Sequence, residues 1–275
     1  MVPDEIAIAA GLGDVAPIEA WLNEGNDHKV NDRDVNGDTM LLACAATPHT
    51  RTASHTDLVR LLIERGADVN SLSPARHDVP GYNGLSALHY ACDRIEDVSA
   101  DMVSLLLNAK ANVHCRARDA SNMPAPEGRT YPEVTPLGMT LLVFFPDEGD
   151  PSPAEPLPNV LRVTTMLLRA GASLDAVSDE RTAETELRTA EGLNPAFRNN
   201  DTFVQVKALI HGVRAAGNWK QYCRRDHKQI LRLRSLVARG RARERLATSR
   251  AMKFIVRQGD NGIVWTILSF WQATN

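Results

Sequence analysis

Two stretches of the chain carry the same internal order, and no other feature limits the fold as strongly. Residues 36–70 read NGDTMLLACAATPHTRTASHTDLVRLLIERGADVN, and residues 83–114 read NGLSALHYACDRIEDVSADMVSLLLNAKANVH. Each passes from a Gly turn through a Ser or Thr into a short apolar helix. A polar gap, a second helix and a closing A-[DN]-V-[NH] follow. A unit of two short helices cannot bury its apolar face alone, so a chain built this way must stack its units into a continuous core. Weaker copies flank the pair: residues 7–25, then 134–142 with 160–175, then 185–190 with 203–217.

The motifs SALHYAC (86–92) and LVRLLIERGADVN (58–70) resemble the ankyrin repeat, whose pattern runs G-x-T-P-L-H-x-A-A and then V-x-x-L-L-x-x-G-A-D-V-N. The resemblance covers residues 5–217 and is strongest over 34–115. It implies an all-α ankyrin-repeat solenoid of stacked helix-turn-helix units, with long finger loops and a helical C-terminal extension. The expected units are 5–36, 37–83, 84–134, 135–180 and 181–217, followed by a basic helical segment at 218–250 and a hydrophobic helix at 251–275. It also implies a non-catalytic module that binds another protein on the concave surface of fingers and first helices. In this family the His at the position of His89 has a structural role, bonding to turn backbone. Leu42 and Gly138 stand at the equivalent positions, so the same network is not expected in the neighbouring units.

The recurring residue types have physical reasons. Thr39, Ser86 and Thr135 sit where a hydroxyl can accept a bond from a free amide in a helix's first turn. Gly25, Gly66 and Gly171 follow the second helix, where a left-handed conformation costs Gly least. Lys110 holds that place in the third unit, so strain or a different cap is expected there. Leu61, Leu62 and Ile63, and likewise Leu105, Leu106 and Leu107, are expected to supply the stacking face.

The junction of the first two units invites another reading. NDRDVNGDTM (31–40) contains D-x-D-x-N-G, the first half of a calcium-binding loop. Such a loop needs a bidentate Glu at its twelfth position, and counting from Asp32 that position is Ala43. Asp34, Gly37 and Thr39 therefore read as a turn and a helix start, and no metal site is expected.

The spacing of the units sets this chain apart. Thr39 to Ser86 is 47 positions and Ser86 to Thr135 is 49, against about 33 in a regular ankyrin unit. The additional residues fall at 49–56, 72–82, 117–133 and 145–159, and the last two are rich in Pro, which predicts loops. Enlarged fingers at 72–82 and 117–133 extend a candidate binding surface. Arg33, Asn36, Arg76, His77, Tyr82, Asn83 and Arg118 are its candidate contact residues, being types that suit an adaptable protein interface.

Charge divides the chain in two. Residues 1–203 hold 16 Lys/Arg against 31 Asp/Glu, a net of −15, whereas residues 204–275 hold 15 against 3, a net of +12. The basic part predicts a helix capped by Asn218, with a second start at Asp226 and Gln229 running to about Ala238. Ile230, Leu233, Leu236 and Val237 gather toward one side, and Arg224, Arg225, Arg232, Arg234 and Arg239 form a basic patch. A basic amphipathic helix suits capping of the solenoid, which the acidic repeats favour. It also suits calmodulin, an anionic membrane surface or nucleic acid, the last disfavoured by scarce aromatic residues.

The closing run VWTILSFW (264–271) resembles part of an F-box, the helical motif that recruits a ubiquitin-ligase scaffold, although the motif's leading L-P is absent. On that resemblance Ile267, Leu268 and Trp271 would form an adaptor helix. Burial of the run against the basic segment is the competing reading.

Phosphate-binding loops, H-E-x-x-H, G-x-S-x-G and kinase signatures are all missing from the sequence, so neither catalytic residues nor a cofactor is expected. The four cysteines lack metal-ligand spacing. MTLLVFF (139–145) is too short to span a bilayer, and the N-terminal residues lack the basic character of a secretion signal. A cytoplasmic or nuclear protein is expected.

Overall fold

The computed structural model describes residues 1–46, 52–74, 82–93, 97–119, 133–145, 159–175, 177–178, 181–241, 253–255 and 264. It divides into two compact units, Met1–His211 and Gly212–Asn275.

Among the described residues of the first unit, helices come in pairs. These are α1 (Asp4–Leu12) with α2 (Val15–Trp21), α3 (Met40–Ala45) with α4 (Ala53–Glu64), and α5 (Ala87–Asp93) with α6 (Asp97–Asn108). Then come α7 (Pro136–Leu142) with α8 (Asn159–Arg169), and α9 (Ala183–Leu193) with α10 (Asp201–Ala216), whose last turn belongs to the second unit. The first helices pack in a row, α1 on α3, α3 on α5, α5 on α7 and α7 on α9. The second helices form another row, α2 on α4, α4 on α6 and α6 on α8. This succession of like neighbours is that of an all-α repeat solenoid.

The stacking face is narrower than three consecutive leucines would suggest. Leu62 and Leu106 are fully buried, together with Leu58 and Val59 on α4 and Met102 and Val103 on α6. Leu61, Ile63, Leu105 and Leu107 are only partly covered. Successive residues turn by about 100° around a helix, so one of three consecutive side chains meets the next unit while its neighbours flank it. Toward the end of this unit the core becomes aromatic. Phe144 meets Phe203 edge-on at 5.0 Å, and Phe197 stacks on Phe203 at 5.1 Å.

The second helices α4, α6 and α8 end in the same way. Gly66 and Gly171 have φ of 90° and 98°, and the amides after them turn back to Leu62 and Leu167. Lys110 adopts the same left-handed cap at φ 69°, with the Ala111 amide bonded to the Leu106 carbonyl. The third unit therefore keeps the cap and carries the strain of a side chain in it.

The fingers contain structure that the expected loops did not include. Strands β1 (Tyr82–Asn83), β2 (Ala117–Asp119) and β3 (Glu133–Val134) form an antiparallel sheet in that order. Tyr82 pairs with Asp119, and Arg118 pairs with both Asn83 and Glu133. Two ends of the expected 117–133 loop are thus strands; the residues between them, like the Pro-rich 146–158, lie outside the described residues.

In the second unit α11 (Trp219–Ala238) is one continuous helix, capped by Asn218, whose Oδ1 accepts the Gln221 amide at 2.9 Å. No second start occurs at Asp226. The segment YCRRDHKQIL has neither Gly nor Pro to interrupt the helix, so Asp226 is passed as an interior residue. Ile230 is buried with Ile255 and Val264, and Leu231 packs against them. Leu233, Leu236 and Val237 are half-buried. Among the described residues no helix is long and apolar enough to cross a membrane.

Candidate functional site

The fingers are held from below by the starts of the first helices. Thr39 Oγ1 accepts the Leu42 amide at 3.3 Å, and Thr135 Oγ1 accepts the Gly138 amide at 3.2 Å. In the third unit the cap is reciprocal: Ser86 Oγ accepts the His89 amide, and His89 Nδ1 accepts the Ser86 amide at 3.2 Å. Because Nδ1 accepts, the ring proton sits on Nε2, which donates to the Val134 carbonyl at 3.2 Å. Burial pushes the His89 pKa down to about 4, with the Val134 and Cys115 carbonyls opposing that shift. The ring is fully enclosed. His89 thus stays neutral and fastens β3 to the third unit.

His55 repeats this arrangement at the start of α4, where its Nδ1 accepts the Thr52 amide at 3.2 Å and its ring lies against Gly13. Sequence reasoning passed over it, although T-A-S-H at 52–55 has the spacing of S-A-L-H at 86–89. In the fourth unit Gly138 replaces the imidazole. The Val177 carbonyl comes so close that a Cβ on Gly138 would lie 2.0 Å from it. That carbonyl accepts from both the amide and the hydroxyl of Thr135, at 2.9 and 3.1 Å.

Lateral bonds then join finger to finger. Arg33 donates to the carbonyl of Gly37 in its own finger and to that of Leu72 in the next, the latter at 3.1 Å. The β1–β2 pairing joins the second finger to the third, and Val134 bridges to Ser178 in the fourth. Lower down, Asn31 Oδ1 accepts the Asp68 amide at 2.7 Å and Asn70 Oδ1 accepts the Asn112 amide at 2.8 Å. These bonds link consecutive units through the closing residue of each repeat.

The expected contact residues fall into distinct positions. Arg33 is a brace within the fingers. Asn36 is exposed at the first turn, where Asp34 Oδ1 accepts the Asn36 and Asp38 amides, each at 2.9 Å. Asp34 is therefore occupied in shaping a turn whose Gly37 has φ 82°, and Asp32 accepts the Met1 ammonium at 2.7 Å. Among the described residues no cluster of ligands suits a metal ion. Tyr82 and Asn83 supply the backbone of β1. Arg118 is exposed and donates to Glu133 at 3.1 Å, while Arg116 reaches the same carboxylate at 3.2 Å. The Arg118 and Arg116 bonds hold the Glu133 pKa below the ordinary carboxylate value. Arg76 and His77, like Ile267, Leu268 and Trp271, lie outside the described residues. Of the basic patch, Arg224, Arg225, Arg232 and Arg239 are exposed and Arg234 is half-buried. Arg225 lies over the Tyr222 ring at 5.5 Å.

A groove that the sequence did not reveal opens between α1, α3 and the first finger. Asp4 and Ile8 form one wall, Asp34, Val35 and Asp38 the other, and Ala43 contributes to its lining; its volume is about 420 Å³. Ile8 and Val35 are 62% and 66% exposed.

The family model for ankyrin repeats, in three copies, matches residues 6–119. These residues are ankyrin repeats. None of the curated proteins matches the chain. The ankyrin match runs from within α1 to the end of β2, so it includes the groove residues from Ala7 to Ala43, the reciprocal His89 cap, the first two fingers and the first strand of the third. Beyond it, α7 and α9 continue the row of first helices with the same threonine caps, Thr135 and Thr182.

Proposed function

We propose that this protein is a non-catalytic interaction module that binds another protein on the finger side of its ankyrin repeats. The observation that carries this reading is the bracing of the fingers. Arg33, the β1–β2 pairing and the Val134–Ser178 bridge join successive fingers, and Asn36 and Arg118 remain exposed on them. A surface already ordered before contact loses less conformational freedom on binding, which favours affinity. Ankyrin repeats indicate protein–protein interaction, and their groove and fingers are suited to a surface contact.

Affinity capture of the full chain followed by chemical cross-linking tests the proposal. Cross-links from a partner to residues 31–40, 82–93 and 115–119 are expected, and shortening the 72–82 and 117–133 fingers should weaken capture at least tenfold. Undiminished capture by the shortened chain, or cross-links confined to 212–275, would overturn it.

A ubiquitin-ligase adaptor role through Ile267, Leu268 and Trp271 receives less support. Val264, the one described residue of that run, is fully buried with Ile230 and Ile255. This favours internal packing of the run over recruitment of a scaffold. Co-purification with ligase scaffold subunits that is lost in Leu268→Asp and Trp271→Asp would reverse the preference.

A further inference from the structure

We infer that the groove between α1 and the first finger receives a cationic, amphipathic segment of a partner protein, with an apolar side chain between Ile8 and Val35 and Arg or Lys side chains toward Asp4, Asp34 and Asp38. This rests on the interaction-module reading and names the chemistry of the partner at one place on that surface.

The groove has a mixed character with one sign of charge. Its apolar residues include Ile8 and Val35, both more than 60% exposed. Leu12, one turn further along α1, is 70% exposed and extends the apolar stripe beyond the groove. Every charged residue in the lining is an aspartate. Arg33 is the one cation in residues 31–40, and its guanidinium is engaged with the Gly37 and Leu72 carbonyls. The wider setting has the same sign, since residues 1–203 carry a net charge of −15. A cationic partner would be drawn toward this region and an anionic one repelled.

The shape follows from the repeat itself. Four residues after each N-cap stand Ala43, Tyr90, Met139 and Glu186. The smallest of the four occurs in the unit that faces α1, and its short side chain leaves the groove open. The finger wall is firm, because Asp34 Oδ1 takes two backbone amides and the Asp34 amide bonds to the Asp38 carbonyl at 2.9 Å. A volume of about 420 Å³ lies within the range of roughly 300–1,000 Å³ usual for ligand-holding clefts. Anchoring apolar side chains in such a cleft while matching charges at its edge is a recurrent means of recognising a peptide.

The test uses the full chain and a fluorescein-labelled peptide that alternates Arg and Leu over six residues between Gly-Ser flanks. Fluorescence anisotropy should show saturable binding that weakens several-fold between about 50 and 500 mM salt, a range that brackets physiological screening. The same peptide with Glu in place of Arg should not bind. Asp4→Lys and, separately, the double change Ile8→Ser with Val35→Ser should each weaken binding at least tenfold. All three positions are on the surface, and unchanged thermal midpoints would show that the fold persists. Equal binding of the Glu peptide, or undiminished binding by both variants, would overturn the inference. Self-association of the chain that the Ile8→Ser, Val35→Ser variant abolishes would overturn it as well, by making a second copy the occupant. A partner cross-linked to the fingers of wild type and groove variants alike would sink the groove assignment while leaving the interaction-module reading intact.

Discussion

The third and fourth units solve the same structural problem with opposite materials. Each must attach the following finger to the start of its first helix, at the position three residues after the N-cap. In the third unit His89 fills that position and reaches the Val134 carbonyl with its ring. In the fourth, Gly138 vacates it, and the Val177 carbonyl comes in to bond Thr135 directly. The second helices differ as well, since Lys110 occupies the left-handed cap that Gly171 holds in the next unit. The repeat thus preserves a backbone attachment, whereas the side chain that makes it can be exchanged, provided the two backbones move together.

The largest effect is expected where that exchange leaves no room. Gly138→Ala places a Cβ 2.0 Å from the Val177 carbonyl oxygen, and should cost at least about 3 kcal/mol in urea unfolding. A loss below about 1 kcal/mol would show that the fourth finger can yield. His89→Ala removes a buried ring and leaves the Ser86 amide and Val134 carbonyl without it, and about 2–3 kcal/mol of destabilisation is expected. Hydrogen exchange should locate the loss around β2 and β3.

Acid should separate the two units. The unfolded chain protonates His89 near its ordinary value of 6.5, but the folded chain holds it neutral down to about 4. The contribution is therefore complete above 6.5 and is lost as pH falls from 6.5 toward 4, by on the order of 3 kcal/mol. His89→Gln retains a donor and an acceptor without titrating, so unfolding measured across that interval should lose this component of the pH dependence. An unchanged pH profile in the Gln variant would remove His89 as its source.

Smaller effects are expected at the helix caps. Thr135→Ala should cost about 1 kcal/mol through its lost cap, with a further loss because the Thr135 hydroxyl also donates to Val177. A thermal-melt comparison with Thr39→Ala, which removes a cap alone, isolates that second bond. Lys110→Gly should stabilise by about 0.5–1 kcal/mol through relief of the left-handed side chain, whereas Gly171→Lys should destabilise by a similar amount. Equal and null melts for that reciprocal pair would show that the cap carries little strain in this setting.

Much of the scaffold was legible because it is local. The caps at Thr39, Ser86, Thr135 and Asn218 and the turns at Gly66 and Gly171 depend on residues three or four apart, and a repeated pattern makes each one support the others. The role of His89 followed from the ankyrin pattern. Its partner did not, since the Val134 carbonyl is 45 residues away. The candidate contacts were less legible still. Residue type and position on a finger made Arg33 a candidate contact, and nothing local showed that its guanidinium braces two fingers. Asp226 resembled a helix start because capping signals are local, and the continuous α11 passes through it.

The sequence by itself determined the repeat, the caps at Thr39, Ser86, Thr135 and Asn218, and the division into an acidic body and a basic C-terminal part, because periodicity, capping and charge are carried by residues near one another. Only the tertiary structure decided which of three consecutive leucines faces the core, that Gly138 admits a carbonyl, and that Ile8 and Val35 form opposite walls of one acidic groove. Those outcomes depend on how α1 and α3 stack and how the fingers join laterally. Stacking brings together residues such as Ile8 and Val35, or His89 and Val134, whose separation along the chain contains no sign that they will meet.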